Sequence, residues 1–132
     1  MTSIDALVSR AVQLELPIAI DSSALIAYLR NEMPIANVVA QVIDDEAVHV
    51  VISSITFSEA LVRTAALFGR ERVDLVVQSI RSLPSIEIIG FDEEHAIDAA
   101  LVRAETRLKL PDAAIVATAR VAGAIEIGRA HV

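Results

Sequence analysis

Four short apolar runs, separated by longer segments with helical periodicity, constrain the fold of this chain more than any other feature. The runs are rich in Ile and Val, which is typical of buried strands. They cover residues 18–20, 47–52, 86–89 and 125–127. The helical patterns between and around them cover residues 3–14, 23–30, 34–43, 55–68, 71–82, 93–108 and 111–123. Because strands separated by helices pair in parallel through right-handed crossovers, the sequence predicts a three-layer α/β/α sandwich around a four-stranded, mainly parallel sheet.

The length and the composition indicate one globular domain. The chain has 132 residues, of which 55% are hydrophobic, so it can bury a sizeable core, and intrinsic disorder is excluded. No apolar run approaches the ~20 residues of a membrane span, and the segment around Asp5 lacks the pattern of a secretory signal. The absence of cysteine excludes a disulfide framework, thiolate zinc ligation and a thiol nucleophile. We therefore expect a cytoplasmic protein that does not enter a membrane.

The net charge limits which partners this chain can bind. The 11 Lys and Arg residues stand against 18 Asp and Glu residues, and the resulting net charge of −7 opposes non-specific binding to nucleic acid. Aromatic residues make up only 3% of the chain, so a stacking platform for single strands is not expected. Any action on RNA or DNA therefore requires a bound cation that offsets the negative field.

Three carboxylates occupy positions where a parallel sheet binds ligands. Asp21 directly follows the first predicted strand, Glu59 lies about one turn into the helix after the second, and Asp112 lies in the first turn of a later helix. Taken singly, Asp21 is explained as a helix cap, Glu59 as part of a solvated helix face, and Asp112 by the helix dipole. Taken together, they can meet beyond the carboxyl ends of the strands. Converging carboxylates repel one another, and Mg²⁺ or Mn²⁺, bound through oxygen ligands, relieves that repulsion and can activate water for attack on a phosphodiester.

The segments around these acids resemble one known family. IAIDSSALIAYL, SSITFSEAL and LPDAAIVATA, in this order and spacing over residues 18–127, resemble the PIN domain, and specifically the VapC-type toxins of prokaryotic toxin–antitoxin pairs. The resemblance implies an endoribonuclease dependent on Mg²⁺ or Mn²⁺, an RNA substrate and a VapB-like antitoxin. It places Asp21, Glu59 and Asp112 on the metal-binding acids of the family. It also places Ser23 on a small hydroxyl residue that helps to hold the first carboxylate.

The chain departs from the family pattern after the fourth predicted strand. The family usually has a fourth acid there, in a motif such as Thr-Asn-Asp or Gly-Asn-Asp, whereas this sequence reads EIGRAHV. Aligning Gly128 with the glycine of that motif puts Ala130 on the acid, and counting from Gly123 puts His131 there. Neither residue is a carboxylate. Two functions therefore stay open: an active metal-dependent endoribonuclease toxin, and a catalytically impaired PIN-fold binding or regulatory module.

The domain division and the apolar content give two further predictions. We divide the chain into an N-terminal helical extension, residues 1–16, and a PIN-like domain, residues 17–132, whose C-terminal end is truncated or divergent. The apolar content predicts a homodimer and a groove for an amphipathic antitoxin segment. Helices over residues 23–43 and 55–68 are expected to line that groove.

A basic cluster precedes the last of the three acids. Arg103, Arg107 and Lys109 lie just before Asp112. Two explanations stay open: contact with the phosphate backbone of RNA, and pairing with the C-terminal dipole of a helix. Asp98, earlier on the same predicted helix, is expected on a solvated face.

Other kinds of site are disfavoured. We interpret His49 and His95 as structural histidines rather than metal ligands. A phosphotransferring hydrolase with a nucleophilic aspartate requires Asp-x-Asp after the first strand, and the sequence has Asp-Ser-Ser from Asp21. A two-component receiver requires adjacent acids and a late lysine, and the only lysine is Lys109.

Overall fold

Helices and strands alternate along the chain as the apolar runs predict. The computed structural model describes residues 4–128. The helices are α1 (Ile4–Leu14), α2 (Ser22–Leu29), α3 (Ile35–Asp44), α4 (Ser54–Phe68), α5 (Arg70–Arg81), α6 (Glu93–Thr106) and α7 (Leu110–Ala122). The strands are β1 (Ile18–Ile20), β2 (Val50–Ser53), β3 (Ile86–Ile89) and β4 (Ile125–Ile127). None of the helices within residues 4–128 combines the length and the apolarity of a membrane span.

The four strands form one parallel sheet in the order β3-β2-β1-β4. β1 is an interior strand, and Ile18 pairs with Val50 of β2 on one side and with Ile125 of β4 on the other. β2 pairs with β3 over its whole length. Every residue of β1 and β2 is buried, as expected for a parallel sheet that helices cover on both faces. The predicted fold class is therefore confirmed, and within the described residues every strand pair is parallel.

The side chains of β1 alternate between two apolar layers. Ile20 packs in the layer that contains Leu25 of α2 and Val39 of α3, whereas Ala19 packs against Ile115 of α7. This alternation follows from the period of two along a strand. α6 packs on α7 in a third apolar cluster. The sheet thus has α2 and α3 on one face and α7, backed by α6, on the other.

α1 packs on the body of the domain. Ala11 is 1% exposed and belongs to the same cluster as Leu25, and Leu7 and Val8 pack against that cluster from its edge. The residues that precede β1 therefore contribute apolar contacts to the core.

Two element boundaries differ from the sequence prediction by two or more residues. β2 begins at Val50 rather than at residue 47, because its partners β1 and β3 begin opposite Val50, and His49 is left exposed. α6 ends at Thr106, because Arg107 adopts the left-handed conformation with φ of 61°. Strand pairing determines the first boundary and a backbone conformation determines the second, and apolar periodicity indicates neither of them.

Candidate active site

Asp21 joins the carboxyl end of β1 to the start of α2. Its backbone N–H donates to the Ile127 carbonyl of β4 at 3.2 Å, and its Oδ1 accepts from the Ala24 backbone N–H at 2.8 Å. The carboxylate is thus the N-cap of α2, the role that the sequence analysis considered for Asp21 taken singly. These two hydrogen bonds give Asp21 a defined position at the carboxyl edge of the sheet.

The residue after β4 lies directly against Asp21. Gly128 is buried, and a Cβ atom at this position would overlap Oδ2 of Asp21 and lie 3.1 Å from its Cγ. The close approach therefore requires glycine. The sequence analysis missed this contact, and its only signal was a glycine directly after the last strand.

Ser23 lies beside Asp21 in the first turn of α2 and is exposed. Within residues 4–128 no hydrogen bond joins its hydroxyl to Asp21, and the Ala24 N–H is the group that holds the carboxylate. The role of Ser23 in orienting the acid stays a prediction.

Glu59 and Asp112 lie on two helices that pack against each other. Glu59 is exposed on α4, and Asp112 is exposed in the first turn of α7. α4 also packs against α2, and α7 packs against β1, so the elements that carry the three acids are mutual neighbours. In the part of the chain that the structure describes, no hydrogen bond or ion pair constrains either carboxylate.

The chemistry of the three acids suits a hard divalent cation, but their side chains do not form a closed ligand set. Carboxylate oxygens are the ligands that Mg²⁺ and Mn²⁺ prefer. Nevertheless, no group of three or more His, Asp or Glu side chains within residues 4–128 is placed to hold a metal ion. Asp21 is therefore a positioned acid, whereas Glu59 and Asp112 lack a comparable constraint from the described residues.

A groove of about 640 Å³ lies between α2, α4 and α5, and Glu59 lines it. Its apolar lining residues are Ile26, Leu29, Ala60, Val62, Leu67, Phe68 and Val76. Arg30, Arg63 and Arg72 also line it, and the Arg72 guanidinium lies 5.3 Å from the centre of the Phe68 ring. Among the described residues, α5 rather than α3 supplies the third wall of this groove, and binding of an antitoxin segment between α2, α3 and α4 stays a prediction.

The basic residues before Asp112 lie in the last turn of α6 and in the turn that joins α6 to α7. Arg103 Nε donates to the Leu108 carbonyl at 3.3 Å and so closes the end of α6. Arg107 is the C-cap of α6, Lys109 is the N-cap of α7, and both side chains are exposed. The hydrogen bond of Arg103 favours the second of the two explanations, a structural role at the C-terminus of a helix. Contact of the three residues with an RNA backbone stays a prediction.

The side chain of Asp98, on α6, packs against α7, so the expected solvated position is wrong. Its side chain is 19% exposed, and its Oδ1 lies 3.3 Å from Nη2 of Arg120. Its Oδ2 is buried and has no hydrogen-bond partner within the described residues. The packing of α6 on α7, rather than the pattern of α6 itself, determines this burial.

A family model identifies the fold that carries these acids. The model described as PIN domain matches residues 18–129, a range that contains Asp21, Glu59 and Asp112. The chain belongs to the PIN domain family. The resemblance stated from the sequence is thereby confirmed, and α1 lies outside the matched range. No curated protein matches this chain.

Three solved structures similar to this PIN domain are a toxin–antitoxin complex and two DNA-bound VapBC complexes. A toxin-antitoxin complex from Klebsiella pneumoniae is 26% identical, with a TM-score of 0.63 over 85% of each chain. The DNA-bound VapBC from Salmonella typhimurium is 20% identical, with a TM-score of 0.63 over 86% of each chain. VapBC2 from Rickettsia felis, bound to a DNA fragment from its promoter, is 15% identical, with a TM-score of 0.61 over 86% of this chain and 98% of that chain. The last two show the fold alone.

In this PIN domain, a buried histidine supports the helix that follows β3. Asp92 is the N-cap of α6, and its Oδ1 lies 3.1 Å from the His95 backbone N–H and 2.6 Å from Nδ1 of the His95 ring. The hydrogen bond from the ring holds the pKa of Asp92 below its usual range. His95 is 4% exposed, and His49 bonds to Glu87 at 2.9 Å, so both histidines have structural hydrogen bonds as the sequence analysis expected.

We expect the Asp92 interaction to make the domain less stable in acid. Because the pKa of Asp92 is lowered by folding, its contribution is present above the unfolded pKa, about 3.9, and is lost as the pH falls through the folded value. Asp92→Asn keeps the cap but not the charge, so its melting temperature should fall less than that of the wild type between pH 6 and pH 3. Glu93→Gln, on the same helical turn, is the control and should follow the wild type. Parallel pH profiles for the wild type and Asp92→Asn would contradict this account.

Proposed function

We propose that this PIN domain is the toxin of a VapBC-type toxin–antitoxin pair and acts as a metal-dependent endoribonuclease. The observation that carries the proposal is that Asp21, Glu59 and Asp112 lie on elements that pack against one another, with Asp21 directly after β1. The family match and the similar toxin–antitoxin structures support it. The substrate that we propose is RNA, cleaved at its phosphodiesters.

The proposed cofactor is Mg²⁺, with Mn²⁺ as a substitute. Asp21 would hold it, together with Glu59 and Asp112, and the cation would offset the net charge of −7 that otherwise repels a polyanion. When bound, such an ion stabilises charge on a phosphodiester and lowers the pKa of a coordinated water. The contribution of the chain itself is the fixed orientation of Asp21, which the Ala24 N–H maintains.

The proposed protein partner is a VapB-like antitoxin that places an amphipathic segment in the groove between α2, α4 and α5. The apolar floor and the three arginines of the groove suit a segment with an apolar face and acidic flanks. Because Glu59 lines the same groove, a bound segment would cover one of the proposed metal ligands. Antitoxin binding and inhibition would then be a single event. We also propose a homodimer, since Leu75, Ile97 and Leu101 are exposed outside the groove.

A second candidate function is a catalytically impaired binding or regulatory module. Two observations favour it. No three-acid group within residues 4–128 is placed to hold a metal ion, and Ala130 and His131, which lie outside the described residues, are not carboxylates. Both candidate functions use the same fold and the same groove, and they differ in whether the chain cleaves RNA.

Metal titration followed by thermal melting tests the acidic site. Because a ligand that binds only the native state stabilises it, Mn²⁺ at tenfold excess over its Kd should raise the melting temperature by on the order of 5 °C. Asp21→Asn retains a good N-cap but loses the charge, so it should melt normally without metal and lose most of this shift.

Asp45→Asn is the matched control for this titration. Oδ1 of Asp45 also accepts one backbone N–H, from Ala47 at 3.0 Å, but Asp45 lies before the amino end of β2. This variant should keep the full metal response. Equal shifts in Asp21→Asn and Asp45→Asn would exclude Asp21 as a ligand.

A further inference from the structure

Gly128 differs from the other glycines of the chain in what surrounds it. A Cβ at Gly69, Gly90 or Gly123 would meet no atom of the described residues within 4 Å. A Cβ at Gly128 would overlap Oδ2 of Asp21 and lie 3.1 Å and 3.8 Å from its Cγ and Oδ1. The three atoms nearest to that position thus all belong to the carboxylate group of Asp21.

The contact constrains Asp21 from the side opposite its helix cap. Oδ1 is bound to the Ala24 N–H of α2, Oδ2 lies against Gly128, and the Asp21 N–H is bound to the carbonyl of Ile127, the residue before Gly128. A side chain at position 128 would require one of two movements. Either the carboxylate rotates and loses its bond to Ala24, or the end of β4 withdraws and weakens the Asp21–Ile127 bond.

We propose that Gly128 is a positioning residue for Asp21. Its lack of a side chain allows the end of β4 to close against the carboxylate, so that Asp21 presents its oxygens in one orientation at the carboxyl edge. The role of this orientation in metal binding rests on the proposed function. The steric contact between Gly128 and Asp21 is independent of that function.

A double-mutant cycle measures the steric relation without any metal. Gly128→Ala should lower the melting temperature of the wild type by several degrees more than Gly90→Ala, the matched control in open space. Asp21→Ser keeps a good N-cap and removes both carboxylate oxygens, including Oδ2, the atom that the new Cβ would overlap. In the Asp21→Ser background, Gly128→Ala should therefore have no larger effect than Gly90→Ala. If Gly128→Ala alone does not fold, restoration of folding in the double variant also demonstrates coupling between the two positions. Equal effects of Gly128→Ala in both backgrounds overturn the proposal.

Mn²⁺ binding, measured by electron paramagnetic resonance on variants that are folded at the assay temperature, tests the functional part. We expect Gly128→Ala to bind Mn²⁺ at least tenfold more weakly than the wild type, and Gly90→Ala to bind it equally well. Unchanged Mn²⁺ affinity in Gly128→Ala overturns the positioning role. If the cycle shows coupling and the wild type binds no Mn²⁺, the inference that Gly128 orients Asp21 holds and the proposed metal site fails.

Discussion

Ala130→Asp is expected to raise Mg²⁺-dependent cleavage of RNA by about a hundredfold over a weak wild-type activity, which corresponds to about 2.7 kcal/mol in the activation barrier. The reason is the position of Gly128, the last residue that the structure describes. Gly128 lies against Asp21 at the carboxyl edge of the sheet, and position 130 is two residues further along the sequence. Under the proposed function, a carboxylate at position 130 would supply the fourth acid of the family pattern and a further oxygen ligand for metal or water.

Ala130→Asn is the matched control, because it adds a side chain of the same size without the charge. His131→Asp tests the alternative alignment of the family motif. Cleavage is measured on a mixed RNA substrate with Mg²⁺ and with a chelator. Strong cleavage by the unmodified chain that Asp112→Ala abolishes would show that three acids suffice, and the impaired module would be excluded. No gain from either added aspartate would favour that module.

Leu67→Asp is expected to weaken binding of the antitoxin by at least a hundredfold, about 2.7 kcal/mol. Leu67 lines the groove between α2, α4 and α5 and is 61% exposed, so its replacement leaves the core intact. A partner segment that fills the groove would have to bury the new carboxylate among apolar side chains, which is costly without a partner charge. Calorimetric titration with an amphipathic peptide that has an apolar face and acidic flanks, the partner segment proposed for the groove, measures the change in affinity.

Leu75→Asp is the control for the groove experiment. Leu75 lies on α5, is 58% exposed and does not line the groove. Both variants carry the same change in charge and apolar area, so a loss of affinity restricted to Leu67→Asp places the partner in the groove. Equal losses would place it elsewhere, and light scattering of Leu75→Asp also reports on the proposed homodimer.

Much of the fold was predictable because its determinants are local. The apolar runs at residues 18–20, 86–89 and 125–127 are the strands β1, β3 and β4 with the predicted bounds. Runs of this length separated by helical segments permit few arrangements other than a parallel sheet with helices on both faces. The same logic placed Asp21 at the end of β1, because a carboxylate directly after a buried strand must lie at the sheet edge.

The candidate site depended more on contacts between distant segments. The contact between Gly128 and Asp21 joins the end of β4 to the end of β1. The residues on either side of each position do not indicate that the two are in contact. The pairing of Asp98 with Arg120 likewise required α6 to pack on α7.

The sequence by itself determined the order of the elements, the parallel sheet and the family. Only the tertiary structure decided that Asp21 is held between Ala24 and Gly128, and that α5 rather than α3 completes the groove beside Glu59. The physical reason is the range of the interactions. Apolar periodicity and helix caps act over a few residues, whereas the orientation of a carboxylate and the walls of a groove are set by segments that meet only when the sheet has formed.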